Sequence, residues 1–233
     1  MPTDTPSWLS KLAGRFIVFD GPDGSGKSTQ FHRFAQILQS SGLEVCLLRE
    51  PGGTAIGEKI RSILLDPSHS EMDVHCEMLL YMASRAQVVS QIIRPALSRG
   101  QVVLADRFIS STLAYQGTAG GMPTVDILRV GQIAVGSSWP DWVVIFDVDE
   151  ETAAKRLAAN PKTKSRKYVK VEQPTLFSDR LELKGIEYQR AVRRGYLDQA
   201  RSDPKRYILL DASMSSDAVF DSLLIKFAEK LSG

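Results

Sequence analysis

The octet Gly21-Pro22-Asp23-Gly24-Ser25-Gly26-Lys27-Ser28 follows the apolar run Phe16-Ile17-Val18-Phe19 after a single residue, Asp20. No other stretch constrains the fold as much. Its glycines let the backbone wrap so closely that successive N–H groups point into a concave nest. The run before it is β-rich, and Gly26 to Ser40 reads as a helix. Strand, glycine loop and helix in that order form a cradle for an anion, because the helix N-terminus adds partial positive charge to the nest. Lys27 and Ser28 complete the pattern G-x-x-x-x-G-K-[ST] of a phosphate-binding loop.

The same rhythm continues along the chain. Four more short apolar runs follow: Val45-Cys46-Leu47-Leu48, Val102-Val103-Leu104-Ala105, Val143-Val144-Ile145-Phe146 and Tyr207-Ile208-Leu209-Leu210. All are nearly continuous rather than alternating, as in parallel strands covered on both faces. The five runs are followed by Asp20, Arg49, Asp106, Asp147 and Asp211. Ligands of open α/β sheets bind beyond such carboxyl ends. Between the runs the spacing predicts helices over Glu71 to Arg99, Glu150 to Ala159, Asp179 to Arg201 and Ser216 to Leu231. Ser70 and Asp73 are spaced as a capping box for the first of these, and Pro95 should bend or end it. The expected fold is α/β, a P-loop NTPase three-layer sandwich with a five-stranded parallel sheet flanked by helices. One domain is expected over 15–233, preceded by a flexible extension over 1–14.

Composition narrows the function classes. A chain of 233 residues, 43% hydrophobic and 24% charged, is neither disordered, collagenous nor a coiled coil. The net charge of +2 is too small for a general nucleic-acid binder. Cys46 and Cys76 cannot make a disulfide framework, which fits a reducing compartment. There is no basic, apolar leader and no run near the ~18 apolar residues of a membrane span, so a cytoplasmic protein without membrane partners is expected. From Thr152 through Val171 there is no acidic residue, while Lys155, Arg156, Lys162, Lys164, Arg166, Lys167 and Lys170 all occur. This one-sided charge reads as a mobile basic loop. His32, His69 and His75 show no metal-ligand or triad spacing.

Within the glycine loop, Lys27 should reach the β- and γ-phosphates of ATP and the Ser28 hydroxyl should bind Mg²⁺. Gly21, Gly24, Ser25, Gly26 and Thr29 complete the ATP-binding set. Asp106 and Asp147, each ending an apolar run, are both candidates for the accompanying carboxylate. The Asn-Lys-x-Asp signature of a guanine-specific switch is absent. A regulatory nucleotide switch is the alternative class, separable by its slow turnover.

Three further blocks stand in order: Arg49-Glu50-Pro51-Gly52-Gly53-Thr54, then Tyr81-Met82-Ala83-Ser84-Arg85, then Asp106-Arg107-Phe108 leading to Ser111-Thr112-Leu113-Ala114-Tyr115-Gln116-Gly117. With them the chain resembles the thymidylate kinase family over roughly 15–231. The resemblance implies transfer of the ATP γ-phosphoryl group to dTMP, with Mg²⁺ and in a homodimer. It implies that Asp23 binds the deoxyribose 3′-hydroxyl and that Arg107 grips the dTMP phosphate. Tyr81 would stack on thymine and Arg85 would bond its O4 edge; the two lie four apart and share a helix face. Thr112 and Gln116 resemble base-edge contacts, and Tyr115 the ring that crowds the 2′ position. Arg49, Glu50 and Ser111 join the dTMP-binding set, and Asp106 joins Ser28 as a Mg²⁺ contact. Tyr81 departs mildly from the family, where phenylalanine is common. The glycine loop has no interior cation, so the resemblance calls for an arginine from a lid at about 160–178. Arg166 is the leading candidate, with Arg156, Lys164, Lys167 and Arg180 as rivals.

Overall fold

The computed structural model describes residues 6–159 and 184–232. All five apolar runs are strands: β1 (Phe16–Asp20), β2 (Val45–Arg49), β3 (Val102–Asp106), β4 (Trp142–Asp147) and β5 (Tyr207–Asp211). They form one sheet in the order β2-β3-β1-β4-β5, and every neighbouring pair is parallel. Successive residues of a strand point to opposite faces. Phe16 and Val18 therefore enter one core with Val103, Ala105, Val143 and Ile145. Ile17 and Phe19 enter a second core with Val102, Leu104, Val144 and Phe146. Both faces of the central strands are dry, which is why their sequences do not alternate.

The helices are α1 (Lys27–Ser40), α2 (Ala55–Leu65), α3 (Val74–Val88), α4 (Arg94–Ser98), α5 (Ile109–Thr112), α6 (Thr124–Val135), α7 (Glu150–Ala159), α8 (Ile186–Ser202) and α9 (Ser216–Ser232). Phe31, Phe34 and Leu38 of α1 and Val219, Leu223 and Phe227 of α9 cover one face of the sheet. Met78 and Met82 of α3, Ile127 and Val135 of α6, and Val192 and Tyr196 of α8 cover the other. The result is three layers with the sheet in the middle. Among the described residues no helix is long and apolar enough to cross a membrane.

Several expectations need correction. The flexible extension over 1–14 is, from Pro6 on, a packed segment with a 3-10 helix at Ser7–Leu12. Leu9 and Leu12 are buried in the second core, and the Trp8 ring stacks on Phe227 at 6.2 Å. The helix expected from Glu71 begins at Val74. Its cap is Asp73, which accepts from the His75 N–H at 2.9 Å, so Ser70 plays no capping part. A π-helical turn at Val89–Ile93 separates α3 from α4. Pro95 then lies in the first turn of α4, directly after the π-helical turn. The helix expected from Asp179 is described from Ile186 onward. Helices α2, α5 with its π-helical continuation Leu113–Ala119, and α6 were not expected at all.

Candidate active site

The polar ends of β1, β2 and β3 lie side by side, with Arg49 in register with Asp106 and Phe19 with Asp106 across the two ladders. The glycine loop leaves β1 at Asp20 and delivers Lys27 to the first position of α1. Gly24 has φ 78°, and a Cβ there would stand 2.6 Å from the Ala153 carbonyl oxygen of α7. Any other residue would force the loop off its helix. Lys27 Nζ donates to Asp106 Oδ1. Burial pushes the Asp106 carboxyl up, but Lys27 and Arg107 outweigh it and hold the group below the usual carboxylate range.

Asp20 is fully buried and acts as a hub. It accepts from the Gly21 N–H at 2.9 Å, Ser110 Oγ at 2.6 Å, Ser111 Oγ at 2.7 Å and Tyr196 Oη at 2.7 Å. Arg107 Nη1 joins the cluster, donating to Asp20, to Ser111 Oγ and to Tyr196 Oη at 3.0–3.2 Å. Its Nη2 donates to Asp23, and its guanidinium sits 5.3 Å over the Tyr115 ring. Tyr115 Oη reaches the other Asp23 oxygen at 3.3 Å. Arg107 is the one non-glycine residue at positive φ, 71°, among those described. A left-handed arginine is strained by about 1–2 kcal/mol, and such strain collects where geometry serves a site.

A second cluster lies at the other end of the cavity. Arg85 of α3 is 1% exposed and donates through Nε to Glu50 Oε2 at 2.8 Å and through Nη1 to Thr112 Oγ1 at 3.2 Å. Its guanidinium lies 4.9 Å over the Phe108 ring. Burial pushes the Glu50 carboxyl up to about 7 against the pull of Arg85, and its Oε1 has no hydrogen-bond partner among the described residues. Gln116 donates through Nε2 to Glu77 Oε1, and both side chains are buried.

These groups face one cavity of about 270 Å³. Asp23, Lys27, Ser28, Arg49, Glu50, Tyr81, Arg85, Asp106, Arg107, Ser111, Thr112, Tyr115 and Gln116 all line it. Gly21, Gly24, Ser25, Gly26 and Thr29 form the loop and first helical turn beside it without lining it. Of the two strand-end aspartates, Asp147 is taken by Arg193 at 2.7 and 3.0 Å, so Asp106 alone stands by Lys27. Arg156 donates to the carbonyls of Ala212 and Ser213 at 2.7 and 3.2 Å and to that of Ser25 in the glycine loop at 3.5 Å, without lining the cavity. Arg166, Lys164, Lys167, Arg180 and the lid at about 160–178 lie outside the described residues.

Other site residues were not found from sequence. Arg61 and Leu65 line the cavity from α2, whose helical pattern was missed. Tyr188 and Tyr196 of α8 brace the lining from behind, Tyr188 donating to the Tyr115 carbonyl at 2.9 Å and Tyr196 to Asp20 at 2.7 Å. Their spacing with Val192, four and eight residues along one helix face, was the available signal. Glu77 left none, being one acidic residue inside a helix.

A family model described as thymidylate kinase matches residues 19–223. A thymidylate kinase of a Geobacillus species is 38% identical over 222 residues, covering 95% of this chain and 100% of that protein. One from Pseudomonas putida F1 is 41% identical over 225 residues, with the same coverages. Among solved structures, thymidylate kinase from Ehrlichia chaffeensis is similar with a TM-score of 0.69. It is 29% identical, and the match covers 92% of this chain and 98% of that one.

Proposed function

The chain belongs to the thymidylate kinase family, whose members transfer phosphate to dTMP, and on that premise we propose how its residues divide the work. The ATP phosphates lie on the glycine loop with Lys27, and the dTMP phosphate lies between Arg49 and Arg107. The observation that carries this reading is the single cavity joining Lys27 and Ser28 to Arg49, Arg107, Arg85, Thr112 and Gln116. Among the described residues Arg107 spends Nη1 and one Nη2 hydrogen, which leaves Nε–H and the second Nη2 hydrogen for a phosphate oxygen.

The nucleophile is an oxygen of the dTMP phosphate, whose second pKa is about 6, so no strong general base is required. The protein's task is to bring two anions together, align them and exclude water. Asp23, fixed by Arg107 and Tyr115, stands where it can meet the sugar hydroxyl. Tyr115 bounds the sugar side, and Tyr81 and Arg85 face the base.

Among the described residues no three His, Cys, Asp or Glu side chains gather as a metal-binding group. Ser28 and the charged Asp106 fit Mg²⁺, which takes few protein ligands and keeps phosphates and waters for the rest. When bound, it would neutralise charge on the transferring phosphates. Arg166, in a lid at about 160–178, is proposed as the cation over the transferring group. A kinase domain over 15–233 and a cytoplasmic location are proposed with it.

A homodimer is proposed as well. Helix α3 packs against both α2 and α6, and all three expose large apolar side chains: Ile56 and Ile63, Leu79, and Val125, Leu128 and Ile133. Apolar surface of this kind suits a second copy of the chain.

The test of function is ADP release with Mg-ATP and a panel of dTMP, dUMP, dCMP, AMP, GMP and shikimate. Turnover led by dTMP is expected. Preference for another monophosphate would overturn the roles given to Tyr81, Arg85 and Thr112. Tight ATP binding without acceptor-dependent turnover would favour the switch class.

A further inference from the structure

Gln116 lines the cavity, yet its amide is not free to choose which end it shows. An amide has a donor end and an acceptor end on opposite sides of one carbon. Its Nε2 is turned to Glu77 Oε1 of α3, and both residues are 1% exposed. A carboxylate oxygen accepts, so it selects the nitrogen end. The carbonyl oxygen is left for the cavity, and no hydrogen bond to another described residue claims it. Arg85, fixed by Glu50 and Thr112, can only donate.

We propose that Glu77 is a positioning residue for pyrimidine selection: it holds the Gln116 amide so that an acceptor meets the base beside the donors of Arg85. This rests on the assignment of Gln116 and Arg85 as base contacts. Thymine and uracil present an O4 acceptor next to an N3–H donor. Cytosine presents an amino donor next to an N3 acceptor, the reverse order. The pair of Gln116 oxygen and Arg85 nitrogen therefore matches thymine and uracil at two points and opposes cytosine at both. Replacing the Glu77 carboxylate by an amide removes the selection. Gln116 can then turn end for end, pair with residue 77 either way, and show the base either polarity. The 5-methyl group lies outside this logic, so Glu77 does not separate dTMP from dUMP.

The experiment compares dTMP, dUMP and dCMP by calorimetric Kd and by kcat/KM. It uses the full chain, Glu77→Gln and Gln116→Leu, each with its thermal unfolding recorded. Glu77→Gln should narrow the dTMP-to-dCMP affinity ratio by roughly ten-fold or more. The dTMP-to-dUMP ratio should stay within about two-fold, since thymine and uracil present the same O4 acceptor and N3–H donor. An unchanged dTMP-to-dCMP ratio would overturn the proposal. So would a uniform loss for all three nucleotides, which marks a purely structural role. Gln116→Leu separates this failure from that of the underlying assignment: if it leaves dTMP binding intact, Gln116 does not read the base and the proposal falls with it. Should Glu77→Gln not fold, the unaltered protein decides. Stronger binding of dUMP than of dCMP supports a fixed amide, and equal binding overturns it.

Discussion

Arg107 holds a left-handed backbone at the end of β3 and divides its guanidinium between Asp20 and Asp23. Arg107→Ala should lower kcat/KM for dTMP by roughly 10²- to 10³-fold, the usual cost of one phosphate- or oxyanion-binding donor. ATP affinity, read by calorimetry, should hold. Asp20 would keep Gly21, Ser110, Ser111 and Tyr196 as donors, so the fold should survive. Equal loss of both substrates would show damage to that hub instead. Glu50 makes a different statement. Burial raises its carboxyl from an ordinary 4.5 to about 7, so the folded chain keeps a proton that the unfolded chain gives up across that window. Stability then falls as pH rises from about 4.5 to 7. Against Glu50→Gln, the wild type should lose up to about 3 kcal/mol of unfolding free energy between pH 5 and pH 8. Chemical denaturation at both pH values gives the two slopes, and parallel slopes would refute the prediction.

At the scale of elements, the strands were legible and several helices were not. A parallel sheet covered on both faces writes itself as unbroken apolar runs, and all five runs became strands. Helix α6 was hidden because Gly131 interrupts its pattern. A Cβ at Gly131 would meet Ile109 Cδ1 at 2.5 Å, so close packing excludes the residues that would have advertised a helix. The first dozen residues looked loose because Pro2, Pro6 and polar residues outnumber the two leucines. Those leucines carry the segment's weight: Leu9 is 1% and Leu12 0% exposed. Leu9→Ala and Leu12→Ala should each destabilise the protein by about 2–5 kcal/mol, the range for buried Leu→Ala changes. Urea unfolding measures the loss, and dTMP kinetics well below the midpoint should be unaltered. A change under about 0.5 kcal/mol would mean that the segment is only laid on the surface.

For the molecule as a whole, local order was readable and long-range pairing was not. The glycine loop and the three later blocks appear in the sequence as contiguous words, and the fold brings their side chains to one cavity. The contacts that fix those side chains join residues far apart, as with Asp20 and Tyr196, 176 positions away, or Gln116 and Glu77, 39 away. No spacing rule reaches so far. The exposed apolar side chains of α2, α3 and α6 likewise carried no signal until the helices were seen together. Sedimentation equilibrium should give a dimer at micromolar concentration, and Leu79→Lys should shift it to monomer. A wild-type monomer at every concentration would remove the proposed second copy. The pairing of Lys27 with Asp106, and of Arg107 with Asp20 and Asp23, has a consequence for the energetics of ligand capture. Each cation already has an internal anion, so an arriving phosphate does not fill a bare positive hole: at Lys27 it takes part in ion exchange, and at Arg107 it takes the N–H groups that the two carboxylates leave over. At Lys27, affinity then measures how much better a phosphate oxygen suits the ammonium than the resident carboxylate does. Selectivity for phosphate over other anions can arise from that comparison alone.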